Sequence, residues 1–162
     1  MAEAKGNRRS ITDQQELEDF VVDIGGSATL TMLAANGFVR DRATQVANVN
    51  TENERSLSML IEHGDFHYLV SGDLSGRASG GENAKVEKAV GEYIESQDIL
   101  VDVLHVNHHG ADNSSEKEFL QLIQPTIAVI SAGNRNPFAH LLILTLIKPF
   151  GFRVNQATKI PG

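Results

Sequence analysis

The sequence predicts one mixed α/β (α+β) domain in which helices cover a sheet, and three observations carry that expectation. Two pairs of short apolar runs, 20–24 with 28–33 and 56–62 with 66–71, are joined by Gly25-Gly26-Ser27 and His63-Gly64-Asp65, the length and punctuation of β-hairpins. From residue 82 onward, helical patterns alternate with apolar runs of strand length, which places helices on a sheet. The chain has 162 residues, 41% hydrophobic and 22% charged, which suits one globular core that folds without a disulfide or structural metal.

The elements follow in order. Residues 1–18 are polar and are expected to be loosely held, with a single domain over 19–162. After the first hairpin, residues 35–55 are rich in Asn, Arg, Thr, Asp and Glu with little periodicity, and the sequence predicts a long exposed loop or a poorly ordered connection. The second hairpin carries Leu57, Met59, Leu60, Ile61, Phe66, Tyr68, Leu69 and Val70, so both of its faces are expected to be largely covered. Over 82–94, Val86, Ala89, Val90, Tyr93 and Ile94 recur at three-and-four spacing, an amphipathic helix with its apolar stripe on the sheet. Residues 99–106 form a β-branched-rich strand. Ser115-Glu116-Lys117-Glu118 has a capping-box pattern that opens a helix through about residue 123. A strand over 126–131, a helix over about 140–148 that ends before Pro149, and a last strand over 152–156 complete the order.

Composition excludes several chemistries. With no cysteine, thiolate nucleophiles, disulfides and cysteine-ligated metals are out, and any metal must sit on His, Asp or Glu. A formal charge of −7 repels nucleic-acid backbones and anionic lipid, so tight nonspecific nucleic-acid binding is not expected. The longest apolar stretch, 141–147, is interrupted by Thr145 and falls short of the ~20 residues of a spanning helix. The polar N-terminus lacks the apolar stretch of a secretory signal, which predicts a cytoplasmic chain, or one whose leader or membrane domain has been removed.

Two segments carry the candidate chemistry: Leu69-Val70-Ser71-Gly72-Asp73 and Val103-Leu104-His105-Val106-Asn107-His108-His109-Gly110. In each, a hydrophobic strand stops at a glycine-containing polar sequence with a good metal ligand, and neighbouring strands would bring Asp73 near His108 or His109. Carboxylate plus imidazole suits zinc, manganese or iron. The plainer reading makes Asp73 a turn residue bonded to local amides and the histidine pair part of a solvated loop. His105, mid-strand, is expected to be buried and hydrogen-bonded. His63 and His67 are expected to face solvent, and helix capping accounts for Ser114 and Ser115.

Asn53 with Ser56-Leu57-Ser58-Met59-Leu60, the run from Gly64 to Asp73, and the run from Asp102 to Ala111 occur in a telling order. They are followed by Asn113-Ser114-Ser115, Phe119-Leu120, Pro125, the run from Ala128 to Gly133, Asn136 and His140. Together they resemble the metallo-β-lactamase-fold hydrolases, in particular the branch found as the soluble domain of competence (DNA-internalisation) proteins. The likeness spans roughly residues 53–156.

That resemblance implies an αββα sandwich with two divalent metals, zinc or alternatively manganese, between the sheet edges. It implies a hydrolase acting on a phosphoester or related ester, a small-molecule or nucleotide substrate, through metal-bound hydroxide. Asp73 matches the aspartate that bridges the metals, and His109, or alternatively His108, matches a ligand of the second metal. His140 matches a histidine at the mouth of the site that assists substrate, although Leu141 follows it where the branch has proline. The early His-x-His-x-Asp-His cluster of the family has no counterpart here, since no His-x-His occurs in the chain. The fold is therefore expected to be incomplete at its N-terminal side, as in a fragment of a larger protein or a degenerate member. Two further readings follow: a non-catalytic remnant serving as a structural or interaction module, and a half-sandwich that self-associates or takes its missing N-terminal half from another chain.

Overall fold

A computed structural model of the chain describes residues 10–46, 49–76 and 86–131. Among the described residues, seven strands form one mixed sheet: β1 (Val21–Gly25), β2 (Ala28–Ala35), β3 (Phe38–Val39), β4 (Ser58–His63), β5 (Phe66–Val70), β6 (Val103–His105) and β7 (Ile127–Val129). Three α-helices among the described residues accompany them: α1 (Gln14–Glu18), α2 (Val86–Ser96) and α3 (Lys117–Ile123). The architecture is the expected mixed α/β one.

Across the sheet the order is β1-β2-β4-β5-β6-β7, with β3 also paired to β2. The pairings from β1 to β5 are antiparallel, and β5, β6 and β7 run parallel. The changeover reflects the connections. Hairpin turns join β1 to β2, β2 to β3 and β4 to β5, whereas α2 lies between β5 and β6 and α3 between β6 and β7, and only a long crossover returns the chain in the same direction.

In the first hairpin, Gly25 (φ 89°), Gly26 (φ 63°) and Ser27 (φ 66°) are all left-handed, which the diglycine allows at little steric cost. Segment 35–55 departs only in part from the expected exposed connection: residues 41–45 are exposed as expected, whereas both ends of the segment are built into the fold. Asn36 (φ 50°) and Gly37 (φ 80°) make a two-residue hairpin turn into β3, whose Val39 is fully buried. A Cβ on Gly37 would lie 2.7 Å from Val49 Cγ2, so this glycine also admits a close approach of the returning chain. Buried Glu54 then accepts the Asn50 and Thr51 amides (2.6 and 3.0 Å) and closes the segment on itself.

Part of the N-terminal stretch also departs from expectation. Residues Gln14–Glu18 are helical, capped by the Asp13 carboxylate on the Glu16 amide (2.9 Å), with Leu17 fully buried beside Met32 and Ala35. Five residues cannot hold a helix alone. Here Arg40 fixes its end, donating to the Leu17 and Glu18 carbonyls (2.9 and 3.1 Å), to Met32 O (2.9 Å) and to the Glu18 carboxylate (3.0 Å).

The larger core cluster lies on one face of the sheet, and the smaller one around Leu17, Met32 and Ala35 on the other. Leu60, Leu69, Leu104 and Ala128 sit side by side in register across β4 to β7 and pack with Val86, Ala89, Val90 and Ile94 of α2 and Phe119, Leu120 and Ile123 of α3. Each fully buried leucine contributes about 1.5–3 kcal/mol. On the other face, the rung Ile61–Tyr68–Val103–Ile127 is only half-buried, with Ile127 53% exposed among the described residues. Phe66 and Leu57 are also exposed, so the second hairpin is less covered than expected. No described helix is long and apolar enough to cross a membrane. The helix and strand expected over 140–156 lie outside the described residues.

Candidate functional site

Three parallel strands end together, and their first residues beyond the sheet build the site. Val70 pairs with His105, so Asp73, three residues past Val70, is level with His108, three past His105. Side chains at the carboxyl ends of parallel strands face a common crevice, the usual location of ligands in open α/β sheets.

The loop after β5 is short and held from beneath. The Ser71 hydroxyl is buried against that of Ser58 (2.7 Å), Leu74 N–H bonds Ser71 O (3.0 Å), and Gly72 O accepts the His108 amide (2.9 Å). Asp73 Oδ1 lies 3.4 Å from His109 Nε2, with both side chains 47% exposed. On the far side of the same ring, Nδ1 donates to Ser131 O at 2.8 Å, just past β7. One histidine is thus held between the ends of β5 and β7.

That arrangement has a chemical consequence. The proton given to Ser131 must sit on Nδ1, so in a neutral ring Nε2 turns its lone pair towards the Asp73 carboxylate, and two acceptors face each other. A positive charge between them, carried by a proton on Nε2 or by a bound metal ion, suits the pair. Two ligand atoms each ~2.0–2.1 Å from a tetrahedral ion stand ~3.4 Å apart, and metal-bound imidazoles characteristically give their second N–H to a carbonyl or carboxylate. Asp73 and His109 therefore fit as two ligands. Among the described residues, no group of three or more His, Asp and Glu side chains is placed to hold a metal ion.

The other histidines are placed differently. His108 Nε2 stands 3.4 Å from Asn53 Nδ2, and its ring centroid is 6.5 Å from that of His109. His105, expected to be buried and hydrogen-bonded, is only partly buried, and its buried Nδ1 has no hydrogen-bond partner among the described residues. His63 is exposed and bonds Gly26 O (3.0 Å), whereas His67 is drawn into the sheet, 3.9 Å from Glu62. His140 lies outside the described residues.

Both members of the histidine pair carry backbone strain: His108 (φ 48°, ψ 42°) and His109 (φ 54°, ψ 21°) are consecutive left-handed residues. Each such non-glycine conformation costs of order 1–3 kcal/mol and persists only where its surroundings impose it. Asn107 supplies the constraint. Its amide donates to Ser115 Oγ (3.2 Å), its carbonyl accepts from Ser114 Oγ (2.9 Å), and its side-chain Nδ2 donates to Glu87 Oε1 (2.7 Å).

The same Glu87 oxygen accepts the Ser115 amide (2.5 Å), and Oε2 accepts the Glu116 amide (3.0 Å). This corrects the capping-box expectation. α3 begins at Lys117 with no side-chain cap from its own segment, Ser115 turns its hydroxyl to Asn107, and a carboxylate from α2 takes the amides at the helix start. Burial pushes the fully buried Glu87 up from 4.5 to about 7, against the pull of its three hydrogen bonds. Glu87 is not legible in the sequence as a site group, because a charged residue in an amphipathic helix reads as solvated surface.

Comparison with known proteins places the chain among long relatives. It is 32% identical to ComE operon protein 3 of Bacillus subtilis over 64% of the chain and 12% of that protein. It is 32% identical to Competence protein ComA of Neisseria gonorrhoeae over 61% of the chain and 13% of that protein. Recombination protein 2 of Haemophilus influenzae is 30% identical over 57% of the chain and 10% of its own length. The matches thus span only about an eighth of these relatives. No protein-family model matches the chain.

Proposed function

We propose that the chain is part of a metal-dependent hydrolase of the metallo-β-lactamase fold, acting on a phosphoester or related ester and serving DNA uptake. The observation that carries this reading is the Asp73–His109 apposition at 3.4 Å, with the ring's other nitrogen committed to Ser131. The competence and recombination names of two relatives support the biological setting. A divalent cation held there would supply Lewis acidity and neutralise charge on a phosphoryl group. Asp73 contributes the anionic oxygen, His109 the Nε2 lone pair, and Ser131 fixes the tautomer that exposes it. The acidic surface does not oppose a phosphate substrate at a cation, whose field dominates locally, but it disfavours tight nonspecific DNA binding.

Zinc and manganese content measured by elemental analysis tests the reading. The purified chain is expected to retain metal that Asp73→Ala loses, and equal content in the two would refute it. A second reading, a non-catalytic interaction module, draws on the count of ligands: a catalytic zinc takes three protein ligands, and the described residues bring two together. It predicts no hydrolysis of bis-p-nitrophenyl phosphate with added zinc or manganese, where the hydrolase reading predicts turnover abolished by Asp73→Ala.

A further inference from the structure

We infer that Glu87, a residue of α2 outside the crevice, is a positioning residue for His109: it holds the left-handed His108–His109 turn by anchoring Asn107 and the Ser115 and Glu116 amides. The inference starts from a mismatch. Two consecutive histidines occupy conformations that side chains disfavour, so something beyond local preference fixes them. The turn is held from both ends. On one side, His108 N–H bonds Gly72 O (2.9 Å) and Ala111 N–H bonds His108 O (2.9 Å). On the other, Asn107 is the anchor, its backbone and side chain bonded to Ser114, Ser115 and Glu87. Glu87 is the shared node, because its carboxylate also takes the amides of Ser115 and Glu116.

The node is specific in shape. The two oxygens of one carboxylate receive three N–H groups from residues 20 to 29 positions away, which an apolar or shorter side chain cannot reproduce. A Cβ added to Gly76 would come 2.4 Å from Glu87 Oε2, so the chain leaving Asp73 is packed directly against the same carboxylate. Both loops that supply the Asp73–His109 pair therefore rest on this one group. A role confined to capping α3 would involve the Ser115 and Glu116 amides alone; the bond to Asn107 is what ties the carboxylate to the histidines.

The test uses the full chain labelled with nitrogen-15 and reads ring nitrogens by long-range proton–nitrogen correlation, together with zinc affinity by calorimetry. Wild type is expected to show His109 as the Nδ1–H tautomer. Asn107→Ala and Glu87→Leu, which cut the link from either end, are expected to shift His109 towards a tautomer mixture and to weaken zinc binding 10–100-fold, the range seen for groups that orient ligands. Glu87→Gln, which keeps an acceptor oxygen and an amide contact with Asn107, is expected to restore most of both. His63 and His67, on the β4–β5 hairpin, report whether the fold survives. Should Glu87→Leu disturb them, Asn107→Ala decides alone. An unchanged His109 tautomer in a folded Asn107→Ala variant overturns the inference. The zinc arm rests on the proposed function, and absence of zinc uptake by wild type would overturn that reading alone, since the tautomer arm does not depend on it.

Discussion

Replacing Glu87 by glutamine should remove a pH dependence of stability that this one carboxyl imposes. Burial raises its proton affinity in the folded chain from 4.5 to about 7, opposed by bonds from the Glu116 amide, the Asn107 side chain and the Ser115 amide and assisted by the nearby Glu116 charge. The folded state therefore holds a proton that the unfolded state gives up above pH 4.5. The stabilisation from that proton is full below pH 4.5 and is lost as pH rises through about 7. At about 1.4 kcal/mol per tenfold change in affinity, the span amounts to about 3 kcal/mol. A protonated Glu87 also has an acceptor within reach: Asn107 Oδ1 is buried and has no hydrogen-bond partner among the described residues, so a turned amide would take the acid proton. Urea unfolding followed by far-ultraviolet circular dichroism at pH 4.5, 6 and 8 measures the effect, as the chain has no tryptophan for fluorescence. Wild type minus Glu87→Gln cancels the histidines and exposed carboxylates common to both. The difference is expected to fall by about 3 kcal/mol across this range, a midpoint change of about 1.5 M at ~2 kcal/mol per M. Parallel pH profiles for the two chains would refute the argument that burial governs this carboxyl.

Two further substitutions probe the frame that holds the site. Leu104→Ala, in the middle of the buried rung between Leu69 and Ala128, is expected to destabilise the chain by about 2–5 kcal/mol in the same urea assay. Arg40→Lys keeps the charge but cannot reach the Met32, Leu17 and Glu18 carbonyls together, so hydrogen exchange over Gln14–Glu18 should accelerate while the α2 amides stay protected.

Elements whose stability is local were legible in the sequence, and elements made by tertiary contact were not. The Gly25-Gly26 and Gly64-Asp65 hairpins announce themselves by apolar runs of the right length around glycine, and α2 by its apolar spacing. Asn36-Gly37 is an equally strong turn signal, but the polar sequence after Val39 hides the strand it begins. Tertiary contacts, among them the packing of Val39 and the bonds of Arg40 and Glu54, order the described part of residues 35–55. α1 is a sharper case. No five-residue window predicts a stable helix, and this one exists because Arg40, more than twenty residues later, bonds its last carbonyls.

The candidate site divides along the same line. Asp73 and the histidine pair stand at strand ends in the sequence itself, and parallel pairing of β5 and β6 is enough to bring them level. Which histidine turns to Asp73 is not a matter of register, because a strand continued regularly would present His108 and His109 to opposite sides. The left-handed pair breaks that alternation and sends His109 to Asp73 and Ser131 while His108 meets Asn53. That break depends on the residues that hold Asn107, the farthest of them 20 positions away, and a buried glutamate in a helix that otherwise looks amphipathic gives no local sign of the role. The ligand candidates are thus written near one another in the chain, whereas the group argued to orient them is identified only by what it touches.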